Sequence, residues 1–210
     1  MKDFWEAKFQ EVQTMWGLES SDSAIQTCLF FKNNHINDIL IPGVGYGRNA
    51  KVFIDNGINV TGIEISDSAI RLARESFFLY FPIFSGSVTQ MPFDSKIYDG
   101  IYCYALIHLL NKFERKNLIQ NCYNQLRPEG YMIFVAISKK ARMYGNGLQL
   151  SKDRFKISKG LNVYFYDFDS ASLEFRDFGL IDIQEIEEPI KYLDNELPLN
   201  FILITCKKTL

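Results

Sequence analysis

The stretch Ile39-Leu-Ile-Pro-Gly-Val-Gly-Tyr-Gly-Arg-Asn49 joins a short apolar run to a glycine-rich turn. Gly43, Gly45 and Gly47 stand at alternate positions directly after the predicted strand. The backbone can therefore turn sharply, and a ligand can lie against main chain that carries no Cβ. The helix predicted after the turn directs its free N–H groups toward the same place. Because ligands of open parallel sheets bind at the carboxyl ends of the strands, the turn predicts a small-molecule site.

An acidic residue ends the next predicted strand. This strand covers residues 59–63, and Glu64 follows it, 17 positions after Gly47. A carboxylate at a strand end can accept two hydrogen bonds from the hydroxyl groups of a ribose, as in nucleoside-binding α/β proteins. The glycine turn and Glu64 together predict a site for a nucleoside cofactor.

The spacing of the glycines distinguishes between two cofactors. Dinucleotide-binding proteins carry G-x-G-x-x-G, whose third glycine packs a helix that faces a pyrophosphate. This chain has G-x-G-x-G over residues 43–47. S-adenosylmethionine has no phosphate, and no second domain is predicted that would position a hydride acceptor. The pattern therefore favours the sulfonium cofactor, with an NAD-dependent oxidoreductase as the competing enzyme class.

Composition narrows the classes of partner. The chain has 210 residues and a formal charge of −2, and its densest basic group has only three members, Lys139, Lys140 and Arg142. No nucleic-acid partner is therefore predicted. The four cysteines show no C-x-x-C spacing and there are only two histidines, so no metal site is expected. The longest apolar run, 101–110, is too short to cross a bilayer. We expect a cytoplasmic protein with reduced core thiols and no membrane partner; its oligomeric state is not indicated.

Short apolar runs alternate with helical patterns along the chain, which is typical of βαβ units. Five such units and a final pair of strands predict one α/β sheet with helices on both faces. Asn111 with Glu114 predicts a capping box at one helix start. We expect one domain over residues 1–210, with a helical cap over 1–37 and a flap or insert over 138–166. The strands are predicted at 38–41, 59–63, 82–84, 98–104, 131–137, 180–188 and 200–207, with one more in the flap at 163–166.

Five short motifs follow one another between residues 38 and 138. They are the glycine stretch at 39–49, Val60-Thr-Gly-Ile-Glu64, Ser85-Gly-Ser-Val-Thr-Gln-Met-Pro-Phe93, Tyr98-Asp-Gly-Ile-Tyr-Cys-Tyr-Ala105 and Leu126-Arg-Pro-Glu-Gly130. In this order they resemble the motifs of class I S-adenosylmethionine-dependent methyltransferases. Leu40-Ile-Pro-Gly43 is similar to the thiopurine and halide/thiol group of that superfamily. The tail, with Tyr144-Gly-Asn-Gly147 and Val163-Tyr-Phe-Tyr166, resembles the tellurite-resistance methyltransferases.

The resemblance implies a Rossmann-like three-layer sandwich, with a seven-stranded, mostly parallel sheet whose last strand is antiparallel. It implies transfer of a methyl group from S-adenosylmethionine to a small-molecule nucleophile, with the accepting sulfur, oxygen or nitrogen left open. It also implies a set of cofactor contacts. These are Gly43, Gly45 and Gly47 under the methionine tail, Glu64 at the ribose, Ile65, Ser87 and Val88 around the adenine, and Tyr104 near the sulfonium.

Two positions depart from the pattern of the superfamily. Ile41 stands where an acidic residue, two positions before the first glycine, commonly helps to hold the methionine ammonium. Backbone carbonyls or another side chain must do so here. Ser87 stands where an aspartate is common, and it can hydrogen-bond the adenine without a full charge. These two positions leave open the alternative of a catalytically inactive, S-adenosylmethionine-binding regulatory or scaffold protein.

Methyl transfer from a sulfonium is an in-line displacement, so the protein mainly supplies orientation and electrostatics. A thiolate needs little more, whereas an oxygen or nitrogen acceptor needs a base for its proton. His108, just after the fourth strand, is the candidate base; a helix-start histidine bonded to backbone is the alternative. Trp16 and, in the flap, Arg142, Tyr144 and Asn146 are the candidate substrate contacts. A protein or RNA substrate would need a recognition domain or a basic face, and the sequence indicates neither.

Overall fold

The computed structural model describes residues 1–75, 79–157, 161–191 and 197–210. Over those residues it contains two β-sheets and six α-helices. The strands are β1 Asp38–Pro42, β2 Asn59–Glu64, β3 Ile83–Ser85, β4 Tyr98–Tyr104, β5 Leu126–Ile137, β6 Leu148–Ser151, β7 Arg154–Lys156, β8 Asn162–Tyr164, β9 Leu180–Glu188 and β10 Leu199–Lys207. The helices are α1 Lys2–Val12, α2 Asp22–Asn33, α3 Ala50–Asp55, α4 Asp67–Glu75, α5 Lys112–Asn124 and α6 Phe168–Phe175.

The main sheet has seven strands in the order β3-β2-β1-β4-β5-β10-β9. The first five are parallel, and β10 is antiparallel to both of its neighbours. This confirms the predicted seven-stranded sheet with its antiparallel last strand. The strand order reverses between β1 and β4, which is the point where ligands of open α/β sheets bind.

Helices cover both faces of this sheet, as alternate residues of β1 show. Ile39 and Ile41 pack in one apolar cluster with Phe31 of α2 and Phe53 of α3. Leu40 packs on the other face, in a cluster that includes residues of α5 and α6. Successive side chains of a strand point to opposite faces, so β1 is buried on both sides. The predicted three-layer arrangement is confirmed.

Local signals placed most elements correctly. The side chain of Asn111 accepts a hydrogen bond from the Glu114 N–H at 3.0 Å, and the Glu114 carboxylate accepts from the Asn111 N–H at 2.8 Å, so the capping box is confirmed. Strand β5 begins at Leu126 and not at 131 as predicted. Its first residues pair with β4 across a register shift, where Glu129 has a φ of 63°. The Pro-Glu-Gly signal marks a bulge within the strand.

The insert, residues 138–166, has more regular structure than its sequence indicates. Strands β6, β7 and β8 form a separate three-stranded antiparallel sheet, of which the sequence predicted only the last strand. The residues of β6 are all exposed, so the hairpin lacks the apolar alternation that identifies a half-buried strand. Residues 158–160 of the predicted flap lie outside the described residues.

A carboxylate on α1 holds that helix against the start of α4. Glu6 accepts hydrogen bonds from the hydroxyl groups of Ser66 and Ser68 at 2.6 Å each and from the Ser68 N–H at 3.1 Å. Hydrogen bonding by these serines lowers the pKa of Glu6 to about 2. A negative charge at a helix N-terminus is also favourable in itself. Helix α1 is thereby fixed above the end of β2.

The four cysteines occupy core positions, as predicted. Cys28, Cys103, Cys122 and Cys206 are all free and buried. Burial raises the pKa of the Cys206 thiol to about 12 and raises that of Cys103 as well, so these thiols are poor nucleophiles. In the described parts of the chain, every helix is too short or too polar to cross a membrane.

Candidate active site

A cavity of about 340 Å³ lies at the carboxyl ends of β1, β2 and β4. Its volume is in the range of small-molecule sites. Most of the predicted cofactor residues line it, namely Gly43, Gly45, Glu64, Ile65, Ser87, Val88 and Tyr104. Helix α1 and the insert supply further parts of the wall, including Trp5, Phe9, Met143, Leu161 and Val163. The glycine turn and the acidic strand end therefore converge on one cavity.

Glu64 ties the end of β2 to the glycine turn. Its Oε2 accepts a hydrogen bond from the Gly45 N–H at 2.8 Å, and its Oε1 accepts from the N–H groups of Ile65 and Ser66, also at 2.8 Å. Burial raises the pKa of Glu64, and these three backbone donors oppose the rise because they stabilise the carboxylate. The carboxylate is thus held at the cavity wall in a fixed orientation.

The glycine turn presents bare main chain to the cavity. Gly45 has a φ of +58°, and a Cβ added there would meet only the tip of the Phe9 ring, at 4.0 Å. A Cβ at Gly43 would approach the Leu106 side chain to 3.0 Å. A methyl group at Gly45 would thus project into open space that a ligand can use. The residues present fit the amino-acid tail and ribose of S-adenosylmethionine.

Gly47 lies elsewhere. It does not line the cavity, and a Cβ there would come within 2.7 Å of Leu79 Cδ1. Its φ is +82°. Gly47 lets the loop pack closely on the segment that follows α4. The resemblance implies that Gly47 contacts the cofactor, but Gly47 does not line the cavity.

The predicted adenine contacts lie together on one wall. Ile65 follows β2, and Ser87 and Val88 begin a short 3₁₀ turn after β3. The Ser87 hydroxyl lies 2.8 Å from the Thr89 hydroxyl and accepts a hydrogen bond from the Thr89 N–H at 3.3 Å. These two contacts orient the side chain of Ser87 at the cavity wall, and this side chain is uncharged.

Tyr104 ends β4 beside a cation that the sequence analysis did not single out. The guanidinium carbon of Arg48 lies 5.7 Å from the centre of the Tyr104 ring, and both side chains line the cavity. Burial raises the pKa of Tyr104 to about 12. The position of Arg48, directly after the third glycine, was the available signal for it.

His108 lines the cavity in a 3₁₀ turn, Ile107–Leu109, after β4. Its Nδ1 accepts a hydrogen bond from the Ile137 N–H at 3.2 Å, so the proton of the neutral ring is on Nε2. Burial lowers the pKa of His108 to about 3. The ring is therefore a neutral hydrogen-bond donor, and this arrangement argues against the predicted role as general base.

Of the predicted substrate contacts, only Trp16 lines the main cavity. Arg142 and Asn146 line a second cavity of about 290 Å³ between the insert and the start of β10. The Tyr144 hydroxyl donates a hydrogen bond to Asp153 Oδ1 at 2.8 Å. That bond is part of a cluster in which Lys139 Nζ lies 2.8 Å from Asp153 Oδ2, at the base of the insert. Tyr144 thus stabilises the insert.

The main cavity also has wall residues that sequence reasoning missed. Their side chains are large and apolar or aromatic, and they come from distant parts of the chain: Phe9, Tyr102, Met143, Leu161, Val163 and Phe201. Tyr102 alone carried a signal, because it stands two positions before Tyr104 on the same face of β4. The others are brought together only by tertiary packing.

Comparison with known proteins agrees with this arrangement. Residues 40–134 match the sequence pattern of the family described as methyltransferase domain. Among curated proteins, none matches the sequence. Many solved structures share the fold, and three illustrate the likeness.

A SAM-dependent methyltransferase from Methanosarcina mazei is 16% identical, with a TM-score of 0.72 over 86% of this chain and 97% of that one. The 1,6-didemethyltoxoflavin-N1-methyltransferase of Burkholderia thailandensis, which holds 1,6-didemethyltoxoflavin and S-adenosylhomocysteine, is 14% identical, with a TM-score of 0.73 over 99% of this chain and 87% of that one. TehB from Haemophilus influenzae is 16% identical, with a TM-score of 0.65 over 98% of this chain and 67% of that one. At these identities the structures bear on the fold alone, and the likeness in sequence is the family match, which covers the glycine turn and the end of β2. Residues 40–134 are therefore similar to the methyltransferase domain family, on a fold that the chain shares with S-adenosylmethionine-dependent methyltransferases.

Proposed function

We propose that the chain is an S-adenosylmethionine-dependent methyltransferase that acts on a small, largely apolar molecule with a flat or aromatic body. The observation that carries the proposal is the cavity wall beyond the glycine turn. It is formed by Trp5, Phe9, Trp16, Met143, Leu161, Val163 and Phe201. Aromatic walls favour flat rings, which pack on them face to edge or offset-stacked. Helix α1 and the insert also enclose the cavity, which suits a small ligand better than a polymer.

The cofactor contacts that we propose follow from the geometry of the same cavity. Glu64 accepts the ribose hydroxyl groups, and the bare main chain at Gly43 and Gly45 leaves room for the methionine tail. Tyr104 lies nearest the sulfonium, where its ring can face a positive charge. The adenine is bounded by Ile65, Ser87 and Val88. Gly47 supports the turn from outside by packing on Leu79.

S-adenosylmethionine supplies the electrophilic methyl group, so the residues of the chain need only orient the acceptor. Among the described residues of the cavity wall, no side chain is suited to act as a general base at neutral pH. His108 is neutral with its Nδ1 occupied, and the pKa of Tyr104 is about 12. Glu64 is held by three backbone N–H groups. We propose that the acceptor enters in a form that is already nucleophilic, and that the Nε2–H of His108 donates a hydrogen bond to it.

The experiment has two stages. Calorimetric titration with S-adenosylmethionine and S-adenosylhomocysteine, with NAD as the control, measures cofactor choice. Formation of S-adenosylhomocysteine is then measured with a panel of aromatic thiols, a thiopurine, flat nitrogen heterocycles and halide, with RNA and a basic protein as macromolecular controls. We expect turnover with one or more of the flat small molecules. Turnover confined to RNA or protein would contradict the proposal.

A further inference from the structure

Glu188, the last residue of β9, is a buried carboxylate without a cation beside it in the described parts of the chain. It is 3% exposed and forms no ion pair there. Its oxygens accept hydrogen bonds from Ser23 Oγ at 2.5 Å and from the Ser23 N–H at 3.2 Å. The nearest lysine in sequence, Lys191, pairs with Asp22 Oδ1 at 2.6 Å. Burying a charge without a counter-charge is costly, so Glu188 suggests a cation that is supplied by a ligand.

Hydrogen bonds connect Glu188 to the cavity. Ser23 Oγ has one proton, and it donates this proton to Glu188 because a carboxylate can only accept. The Tyr102 hydroxyl, 3.1 Å from Ser23 Oγ, must then be the donor in that contact. The Tyr102 oxygen also has a hydrogen bond with Ser21, and because a phenolic oxygen has two lone pairs it can still accept from a ligand. Tyr102 lines the cavity. Glu188 therefore fixes the direction of the Tyr102 hydroxyl so that its negative end can face a ligand.

The charge of Glu188 acts on both tyrosines of β4, Tyr102 and Tyr104. After burial, which is the larger cause, the charge of Glu188 raises the pKa of Tyr104, and it contributes in the same direction at Tyr102. Arg48 acts on Tyr104 with the opposite sign. This end of the cavity thus presents a negative field on the Tyr102 side and a cation on the Arg48 side, as a zwitterionic α-amino acid requires.

Tyr102 is also the cross-strand neighbour of Ile41. Strands β1 and β4 pair Ile39 with Gly100 and Leu40 with Ile101, and continuing this register places Ile41 beside Tyr102. Both residues belong to the same apolar cluster and both line the cavity. Ile41 carries no charge, and its neighbour Tyr102 is connected through Ser23 to the carboxylate of Glu188.

We propose that Glu188 is a positioning residue for the cofactor, which acts through Ser23 and Tyr102 to compensate the α-ammonium of the methionine tail. Arg48 lies on the side of the tail carboxylate. This inference rests on the cofactor site proposed above and adds four residues to it. Glu188 would thereby compensate the ammonium charge in place of the acidic residue that is common in the superfamily where this chain has Ile41.

The test compares two ligands on matched variants. The ligands are S-adenosylhomocysteine and its analogue in which hydrogen replaces the α-amino group. For Glu188→Gln we expect the Kd of S-adenosylhomocysteine to rise about tenfold, the effect of one charge interaction across an intervening hydroxyl. The Kd of the deaminated analogue should stay within about twofold of the wild-type value. Glu187→Gln, an exposed neighbour on β9, should change neither constant.

Each result decides between the two proposals. If wild-type protein does not bind S-adenosylhomocysteine, the cofactor site itself is wrong. If wild type binds it and Glu188→Gln weakens both ligands equally, the cofactor site stands and the role of Glu188 is refuted. If circular dichroism shows that Glu188→Gln does not fold, Tyr102→Phe, which keeps the ring and removes only the hydroxyl, gives the answer. Selective loss of S-adenosylhomocysteine in that variant supports the inference, and equal affinities to wild type for both ligands overturn it.

Discussion

The backbone N–H of Gly45 and the carboxylate of Glu64 meet at 2.8 Å, which joins the turn after β1 to the end of β2. Together with the donors of Ile65 and Ser66, this bond gives the carboxylate three N–H partners. The turn and the acid that we propose to bind the cofactor and its ribose are therefore one hydrogen-bonded unit. A change at either residue should affect both binding and folding.

Glu64→Gln should weaken S-adenosylhomocysteine binding at least about tenfold and also destabilise the fold. The amide NH₂ group of glutamine cannot accept the hydrogen bonds that one carboxylate oxygen now accepts. An unsatisfied buried donor costs about 1–3 kcal/mol. Calorimetry gives the Kd, and urea unfolding gives the free energy of unfolding. Glu75→Gln, an exposed change at the end of α4, is the control. Undiminished binding by Glu64→Gln would show that the ribose assignment is wrong.

Gly45→Ala should abolish most cofactor binding, whereas Gly57→Ala should not. Both glycines have left-handed backbones, with φ of +58° and +77°. Alanine at either position should therefore cost about 1 kcal/mol of strain. Only the methyl group at position 45 would occupy the cavity, because Gly45 lines it and Gly57 does not. Urea unfolding of both variants measures the cost of backbone strain. Calorimetric titration measures the loss of affinity that steric exclusion adds at position 45. Equal losses of affinity in the two variants would contradict the proposal that the main chain at Gly45 leaves room for the cofactor.

The contact of Glu6 with α4 should depend on pH. Hydrogen bonding by Ser66 and Ser68 lowers the pKa of Glu6 from 4.5 to about 2. A depressed carboxyl pKa adds stability above the unfolded value, and this contribution is lost as the pH falls from 4.5 toward 2. Wild type should be more stable than Glu6→Gln at neutral pH, and the difference should shrink through that window.

Intrinsic fluorescence can follow this change, because the chain has two tryptophans, Trp5 on α1 and Trp16 just after it, and their ring centres lie 6.0 Å apart. Glu19→Gln, an exposed change before α2, provides the comparison. A constant difference between wild type and Glu6→Gln at every pH would argue that Glu6 acts by packing alone.

The rate of methyl transfer should show no inflection from His108 near its ordinary pKa of 6.5. Burial lowers that pKa to about 3, so the ring stays neutral across the working range. The measurement is kcat/KM against pH, with an acceptor whose own pKa lies outside the range. His108→Gln should lower kcat/KM without changing the shape of the profile. A fall with an apparent pKa near 6.5 that disappears in the variant would restore the role of His108 as a base.

The parts of the fold that were predicted correctly are those with short-range signals. Strand β4 was predicted at its observed bounds because a buried apolar run stands between polar segments. The insert was only partly predicted, because its strands have three or four residues and one of them is fully exposed. The positions around Glu64 followed from the spacing of glycines and an acid. Glu188 lies 165 positions from Ser23 along the chain, so no local pattern connects them.

The insert supplies part of the proposed substrate wall and can be separated from the proposed cofactor wall along the chain. Met143, Leu161 and Val163 come from the insert, while Gly45 and Glu64 belong to the main sheet and its turns. Acceptor preference should thus be exchangeable between related enzymes by grafting the insert as a module. Such a graft must retain an acid at position 153, since Lys139 joins Asp153 to Asp167 of the main fold at 2.8 and 2.6 Å. Chimeras that respect this ion triad should keep the donor site intact while acquiring new acceptors.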